Sequence, residues 1–165
     1  MRIPTVIDVE ASGFGNGSYP IEVGFVLPDG RSECTLIRPA NGWTHWDDSA
    51  EAIHGINRSI LVQSGKPAVE VAARLNQVLR GMTVYSDAWA HDFVWLSVLY
   101  EAAGLVPNFK LEHLATLIRN CTAAHWNAVR LEVEHDMDLR RHRASNDARV
   151  LQQTWLRVHQ EQEAA

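Results

Sequence analysis

Ile3-Pro4-Thr5-Val6-Ile7-Asp8-Val9-Glu10 opens the chain as a β-branched, apolar run interrupted by two acids. Apart from those acids, a run of this kind reads as a buried strand. Side chains on a strand alternate between faces, so Asp8 and Glu10 project to the same side and stand next to each other. Two carboxylates held that close repel, which raises a pKa and costs stability unless a proton or a cation lies between them. At this point the pair has two readings: a metal site at a strand edge, or the solvated end of the strand.

The residues that follow set the architecture. Gly13, Gly15 and Gly17 make the first connection pliable directly after Glu10, where backbone can approach a ligand. Residues 21–27 and 33–38 read as two further strands around Pro28-Asp29-Gly30-Arg31, a hairpin turn, so the first three strands form a meander. Pro67 opens a helix whose apolar residues Val71, Ala72, Leu75, Val78 and Leu79 recur at the spacing of one buried face, ending at Arg80-Gly81. Residues 82–85 read as a buried strand and 92–103 as a helix stopped by Gly104. Residues 110–112 read as a short fifth strand, and 114–120, 123–138 and 144–159 as helices. Helices crossing between strands imply an α/β fold, a mixed five-stranded sheet flanked by helices. The expected organisation is a single domain over residues 1–160 with a short polar tail at 161–165.

A second set of chemically active residues lies far along the chain. Asp92 begins the helical stretch after the fourth strand, and His142 and Asp147 stand in His142-Arg143-Ala144-Ser145-Asn146-Asp147. A spacing of five on one helix would point two side chains roughly 140° apart. The two converge only if His142 lies on the loop or first turn leading in, with Asp147 on the helix proper.

This combination resembles the DEDD-type 3′-to-5′ exonucleases, specifically the histidine-bearing (DEDDh) branch that includes ribonuclease T, oligoribonuclease and the proofreading subunit of bacterial DNA polymerase III. Asp8-Val9-Glu10 matches the first motif, with Ala11-Ser12-Gly13-Phe14 as its following turn. Ala52-Ile53-His54-Gly55-Ile56 matches the His-Gly-Ile segment, Asp92 the second motif, and His142 with Asp147 the third. Before the second acid this chain reads Asp87-Ala88-Trp89-Ala90-His91-Asp92 where many members carry His-Asn-Ala-X-Phe-Asp, so the usual amide and aromatic are absent and the acid is kept.

The resemblance implies a ribonuclease-H-like fold and a metal-dependent enzyme that hydrolyses phosphodiester bonds at the 3′ end of single-stranded DNA or RNA, releasing nucleoside 5′-monophosphates. Two divalent cations about 3.5–4 Å apart stabilise the attacking and leaving oxygens of such a reaction. Mg²⁺ and Mn²⁺ prefer oxygen, so the implied ligands of two such ions are the carboxylates Asp8, Glu10, Asp92 and Asp147. His142 is the implied base for water, because imidazole titrates nearest neutrality. The competing reading places His142 at a helix cap or in the basic surface run Arg140-Arg141-His142-Arg143. Ala11, Ser12, Gly13 and Phe14, with His54 and Trp89, are the expected contacts to the terminal nucleotide; each aromatic among them has core filling as its alternative.

Other features bound the reading. A hydrophobic fraction of 46% fits a globular enzyme, and a formal net charge of -5 argues against wrapping long nucleic acid. Contact is then expected at a short 3′ end. Cys34 and Cys121 lack a CxxC companion, so neither zinc nor a disulfide framework is indicated, and both are expected to be buried. With no leader-like N-terminus and no run of ~20 apolar residues, a cytoplasmic protein without a membrane partner is expected. Arg140, Arg141, Arg143 and Arg149 suit either phosphate contacts or a helix surface offset by Glu132, Glu134, Asp136 and Asp138. Related enzymes often act as homodimers. The alternatives kept open are a non-catalytic module that grips nucleic-acid 3′ ends and a proofreading accessory subunit of a polymerase.

Overall fold

In the computed structural model, which describes residues 2–164, the opening run forms β1, Thr5–Ala11. The strand starts after Pro4, which has no N–H to give a ladder; its carbonyl accepts instead from Gln152 Nε2 at 2.7 Å. β2 (Pro20–Val26) and β3 (Ser32–Leu36) follow antiparallel, completing the expected meander. The β2–β3 turn closes as Gly30 N–H donates to Leu27 O at 3.0 Å and Leu27 N–H to Arg31 O at 2.8 Å, with Gly30 at φ +83°. β4 (Thr83–Ser86) and β5 (Lys110–His113) add to the other side in parallel. The order β3-β2-β1-β4-β5 makes a mixed five-stranded sheet flanked by helices, an α/β ribonuclease-H-like fold.

Among the described residues six α-helices flank the sheet: α1 (Asp48–His54), α2 (Arg58–Ser64), α3 (Ala68–Val78), α4 (Trp89–Ala103), α5 (Ala123–Met137) and α6 (Ala144–Ala164). Strand alternation divides the core. Ile7 and Val9 pack with Val71, Leu75 and Leu99 of α3 and α4, while Val6 packs with Ala148, Leu151 and Trp155 of α6. Ile7 and Leu99 have no exposed surface, and each contributes roughly 1.5–3 kcal/mol by burial. α5 lies on α6 through Val129 and Val133 against Val150 and Val158.

The topology opens a crevice. β1 and β4 pair only at Thr5↔Val84 and Val6↔Tyr85, so β1 runs on through Asp8 and Glu10 beyond the parallel ladder. Open α/β sheets place ligands at the carboxyl ends of such strands. A register shift between Glu10 and Ala11 further bends the strand there. On the other side of β1, Gly24 lets α6 rest on β2, since a Cβ at that position would lie 2.1 Å from Ser145 N and 2.5 Å from Ala144 C.

Several elements depart from the expectation. α1 and α2 form where no helix was assigned; Asp47 and Asn57 cap them, accepting from Ser49 N–H and Ser59 N–H at 2.8 Å each. The helix expected at 114–120 is one 3₁₀ turn, Leu114–Leu117, and α4 begins at Trp89 rather than Asp92. α6 continues through the residues expected as a polar tail, to Ala164; Ala165, like Met1, lies outside the described residues. Cys34 is exposed rather than buried, because β3 is the edge strand of the sheet, and Cys121 is only partly covered. Among the described residues no helix is long and apolar enough to cross a membrane.

Candidate active site

A cavity of about 370 Å³ at the β1–β4 crevice is lined by Asp8, Glu10, Asp92, His142 and Asp147 together. Asp8 and Glu10 reach it from β1 by the strand's two-residue alternation. Asp92 reaches it from the first turn of α4 and is fully buried; Ser86 Oγ, at the end of β4, donates to its Oδ2. His142 lies on the loop two residues before α6, in left-handed backbone at φ +57°, and Asp147 lies in the first turn of that helix. This is the arrangement under which the two side chains converge. Ligand atoms of Glu10, His142 and Asp147 all lie within 4.8 Å of one another.

The electrostatics are those of acids crowded out of water. Burial raises the Asp8 carboxyl well above its ordinary range, and Asp92, Glu10 and Asp147 push it further. Burial, then Asp147 and Glu22, lift Glu10 to about 7, against the pull of Arg143. Asp92 is lifted to about 7, burial outweighing the Ser86 hydrogen bond. Asp147 is also raised, burial outweighing Arg141 and His142.

The carboxylate set fits divalent cations on this geometry. Asp92 Oδ1 and Asp147 Oδ1 are buried without a hydrogen-bond partner. Orphaned buried acceptors are costly, and hard cations satisfy them. Arg141 Nε stands 3.3 Å from Asp147 Oδ1, an ion pair without hydrogen-bond alignment, while its Nη1 pairs with Glu134 at 2.5 Å. Arg130, also lining the cavity, is tied to Asp87 at 3.2 Å and Glu134 at 3.0 Å.

The expected nucleotide contacts divide. Ala11, Gly13, Phe14 and His54 line the cavity. Phe14 is 66% exposed and leans on His91 and Trp95 at centroid distances of 5.1 and 5.8 Å. His54 is buried, and its Nδ1 accepts from Ile56 N–H at 3.0 Å, so in the neutral ring Nε2 carries the hydrogen and has no partner. Burial lowers the His54 pKa, which keeps that ring neutral. Ser12 and Trp89 are not in the lining. Ser12 Oγ accepts from Tyr19 N–H at 3.1 Å inside the turn, and Trp89 stacks on Phe93 and donates from Nε1 to Leu111 O at 3.3 Å.

The sequence reading missed other residues. Ser49, Ala50 and Ile53 of α1 and His91 of α4 line the cavity, and Ile53 is 58% exposed. The Asx caps at Asp47 and Asn57 were the available signal for α1 and α2. Of the four arginines, Arg141 reaches the cavity, Arg140 lies against Gly55, and Arg143 turns inward to Glu22.

No protein-family model matches the chain, and no curated protein matches it in sequence. Solved structures do. A moderately thermophilic exonuclease I from Methylocaldum szegediense is similar with a TM-score of 0.70 and 13% identity, over 95% of this chain and 40% of that one. The zinc-bound form of the E. coli exonuclease I complex with single-stranded DNA gives 0.66 and 16%, over 96% and 41%. E. coli exonuclease I with a dT13 oligonucleotide gives 0.55 and 15%, over 67% and 28%. The fold is what is shared, and this chain spans less than half the length of each of these proteins.

Proposed function

We propose that the chain is a metal-dependent 3′-to-5′ exonuclease domain of the DEDDh type, acting on the 3′ end of single-stranded nucleic acid and releasing nucleoside 5′-monophosphates. The observation that carries this reading is the meeting of Asp8, Glu10, Asp92, His142 and Asp147, from three separate elements and a loop, around one cavity. The fold shared with exonuclease I supports it.

Asp8, Glu10, Asp92 and Asp147 would hold two divalent cations, with Mg²⁺ or Mn²⁺ favoured by the oxygen donors. Bound there, the cations would supply charge neutralisation for the phosphoryl and leaving oxygens and a more acidic attacking water. His142, on its loop beside Glu10 and Asp147, would serve as the base that takes the proton of the attacking water. Phe14 and Ile53 offer apolar surface to the terminal base, and the His54 Nε2–H donates to the nucleotide. Ser12 shapes the turn, and Trp89 stands outside the cavity.

A 5′-labelled single-stranded DNA and RNA pair, incubated with Mg²⁺ or Mn²⁺, tests the reading. The expected result is a ladder shortening from the 3′ end, abolished by chelator and by Asp8→Ala. His142→Ala is expected to lower kcat by about 10²–10⁴-fold while leaving Mn²⁺ binding intact. Oligomers left whole under every metal would defeat the enzyme reading in favour of a module that only grips ends.

A further inference from the structure

Glu22 is a carboxylate with no exposed surface in the middle of the otherwise apolar β2, and the chemistry proposed above gives it no part. Its environment is nonetheless one of the most highly bonded in the molecule. Arg143 Nε donates to both of its oxygens at 3.0 and 3.1 Å, and Arg143 Nη2 donates to Oε1 at 2.6 Å. The Ala144 N–H donates to Oε2 at 2.9 Å. That amide is one of the donors a helix start leaves unpaired, so a strand carboxylate caps α6 from outside its own segment.

The position of this clamp gives it a consequence. Glu22 lies directly across from Glu10 in the β1–β2 ladder, so the two acids project from the same face side by side. One faces the cavity and the other holds the residue that follows His142. Asp147 is held a second time by the core, through its neighbour Ala148 and through Leu151. His142 has no such support: it sits outside any helix or strand, in left-handed backbone that a non-glycine side chain rarely adopts. On its C-terminal side the nearest anchors both fall on Arg143: its carbonyl accepts from Asn146 N–H and Asp147 N–H at 2.8 and 3.0 Å, and its side chain, with Ala144 N–H, is held by Glu22.

We propose that Glu22 is a positioning residue, acting through His142: the Glu22–Arg143–Ala144 clamp holds the loop so that the imidazole stays beside Glu10 and Asp147. This rests on His142 having the role proposed above. Misplacement of a reacting group by about 1 Å can cost on the order of 10²-fold in rate. Glu22→Gln keeps the shape and an acceptor for Ala144 N–H while removing the charge that draws the Arg143 fork.

A double-mutant cycle in Mn²⁺, on a 5′-labelled single-stranded oligonucleotide, tests it. Glu22→Gln is expected to lower kcat by about 10- to 100-fold with KM unchanged, and to cost little further when added to His142→Ala. Hydrogen exchange without metal or substrate gives a second readout: the Ala144 amide should lose protection in Glu22→Ala, which removes its acceptor, while amides in the middle of α6 keep theirs. If Glu22→Gln does not fold, Arg143→Lys, which keeps the charge and loses the fork, is put through the same cycle. Equal losses in both backgrounds, or a loss in KM alone, would overturn the positioning role and leave the proposed function standing. A wild-type protein that never shortens the oligonucleotide defeats the proposed function, and the role of Glu22 in it falls too.

Discussion

Four carboxyls with raised pKa values make the metal-free protein sensitive to pH in a predictable direction. A folded-state pKa above the unfolded value means that the native state holds protons the unfolded chain has released. Stability of the metal-free protein therefore falls as pH rises from the ordinary carboxylate range through about 7, where Glu10 and Asp92 ionise. Asp29, Asp47 and Asp136 are held below their ordinary values by neighbouring donors and lose stability only as pH falls through the acid range; His54, lowered by burial, works against the fall only up to its ordinary value of 6.5, one group against four. In chelator, Tm should drop between pH 5 and pH 8, and Mn²⁺ should restore it at pH 8 by binding the native state. Asp92→Asn should raise Tm at pH 8 in chelator, by about 2–4 °C for each kcal/mol of repulsion and desolvation removed. A flat Tm profile over this range would contradict the crowding of these acids. At this scale the sequence was informative about Asp8, Glu10, Asp92, His142 and Asp147, because short spacings and residue types carry chemistry. It was silent on Glu22, whose partners lie more than a hundred residues away, at Arg143 and Ala144.

At the scale of elements, the decisive contact is α6 against β2. Gly24 permits it, since any Cβ there would meet the backbone of Ala144 and Ser145. Backbone cannot yield as a flexible side chain does, so Gly24→Ala should destabilise by about 1–3 kcal/mol, read as a lower midpoint in urea unfolding. A midpoint within error of the parent would show that the helix start shifts freely. β1 to β5 were legible because β-branched runs and turn residues mark strands locally. α1 and α2 were not, because each is only seven residues long and shows no full turn-to-turn apolar repeat. Their packing, with Ile56 and Leu61 against Tyr19 and Ile21, is tertiary.

For the whole molecule, the proposed function and a net charge of -5 together set how nucleic acid would be held. A contact confined to one cavity releases few counterions. Binding of a short oligonucleotide in Ca²⁺, followed by fluorescence anisotropy, should therefore weaken with salt along a log–log slope of about −1 to −3. Chelator should weaken it sharply. A slope near −6 or steeper would reveal an extended basic track and overturn the short-contact reading. Arg130 and Arg141 line the cavity but are paired with acids, which agrees with a small electrostatic footprint.

The sequence by itself determined the five strands, the meander, the main helices and the identity of the five clustered side chains. Each is written in local periodicity, turn chemistry or short spacing. The tertiary structure alone decided that the five meet in one cavity, that His54 and Ile53 join them while Ser12 and Trp89 do not, and that Glu22 and Gly24 seat the helix behind His142. Those outcomes depend on which residues become neighbours when the sheet and helices pack, and burial, repulsion and orphaned oxygens exist only after that packing is complete.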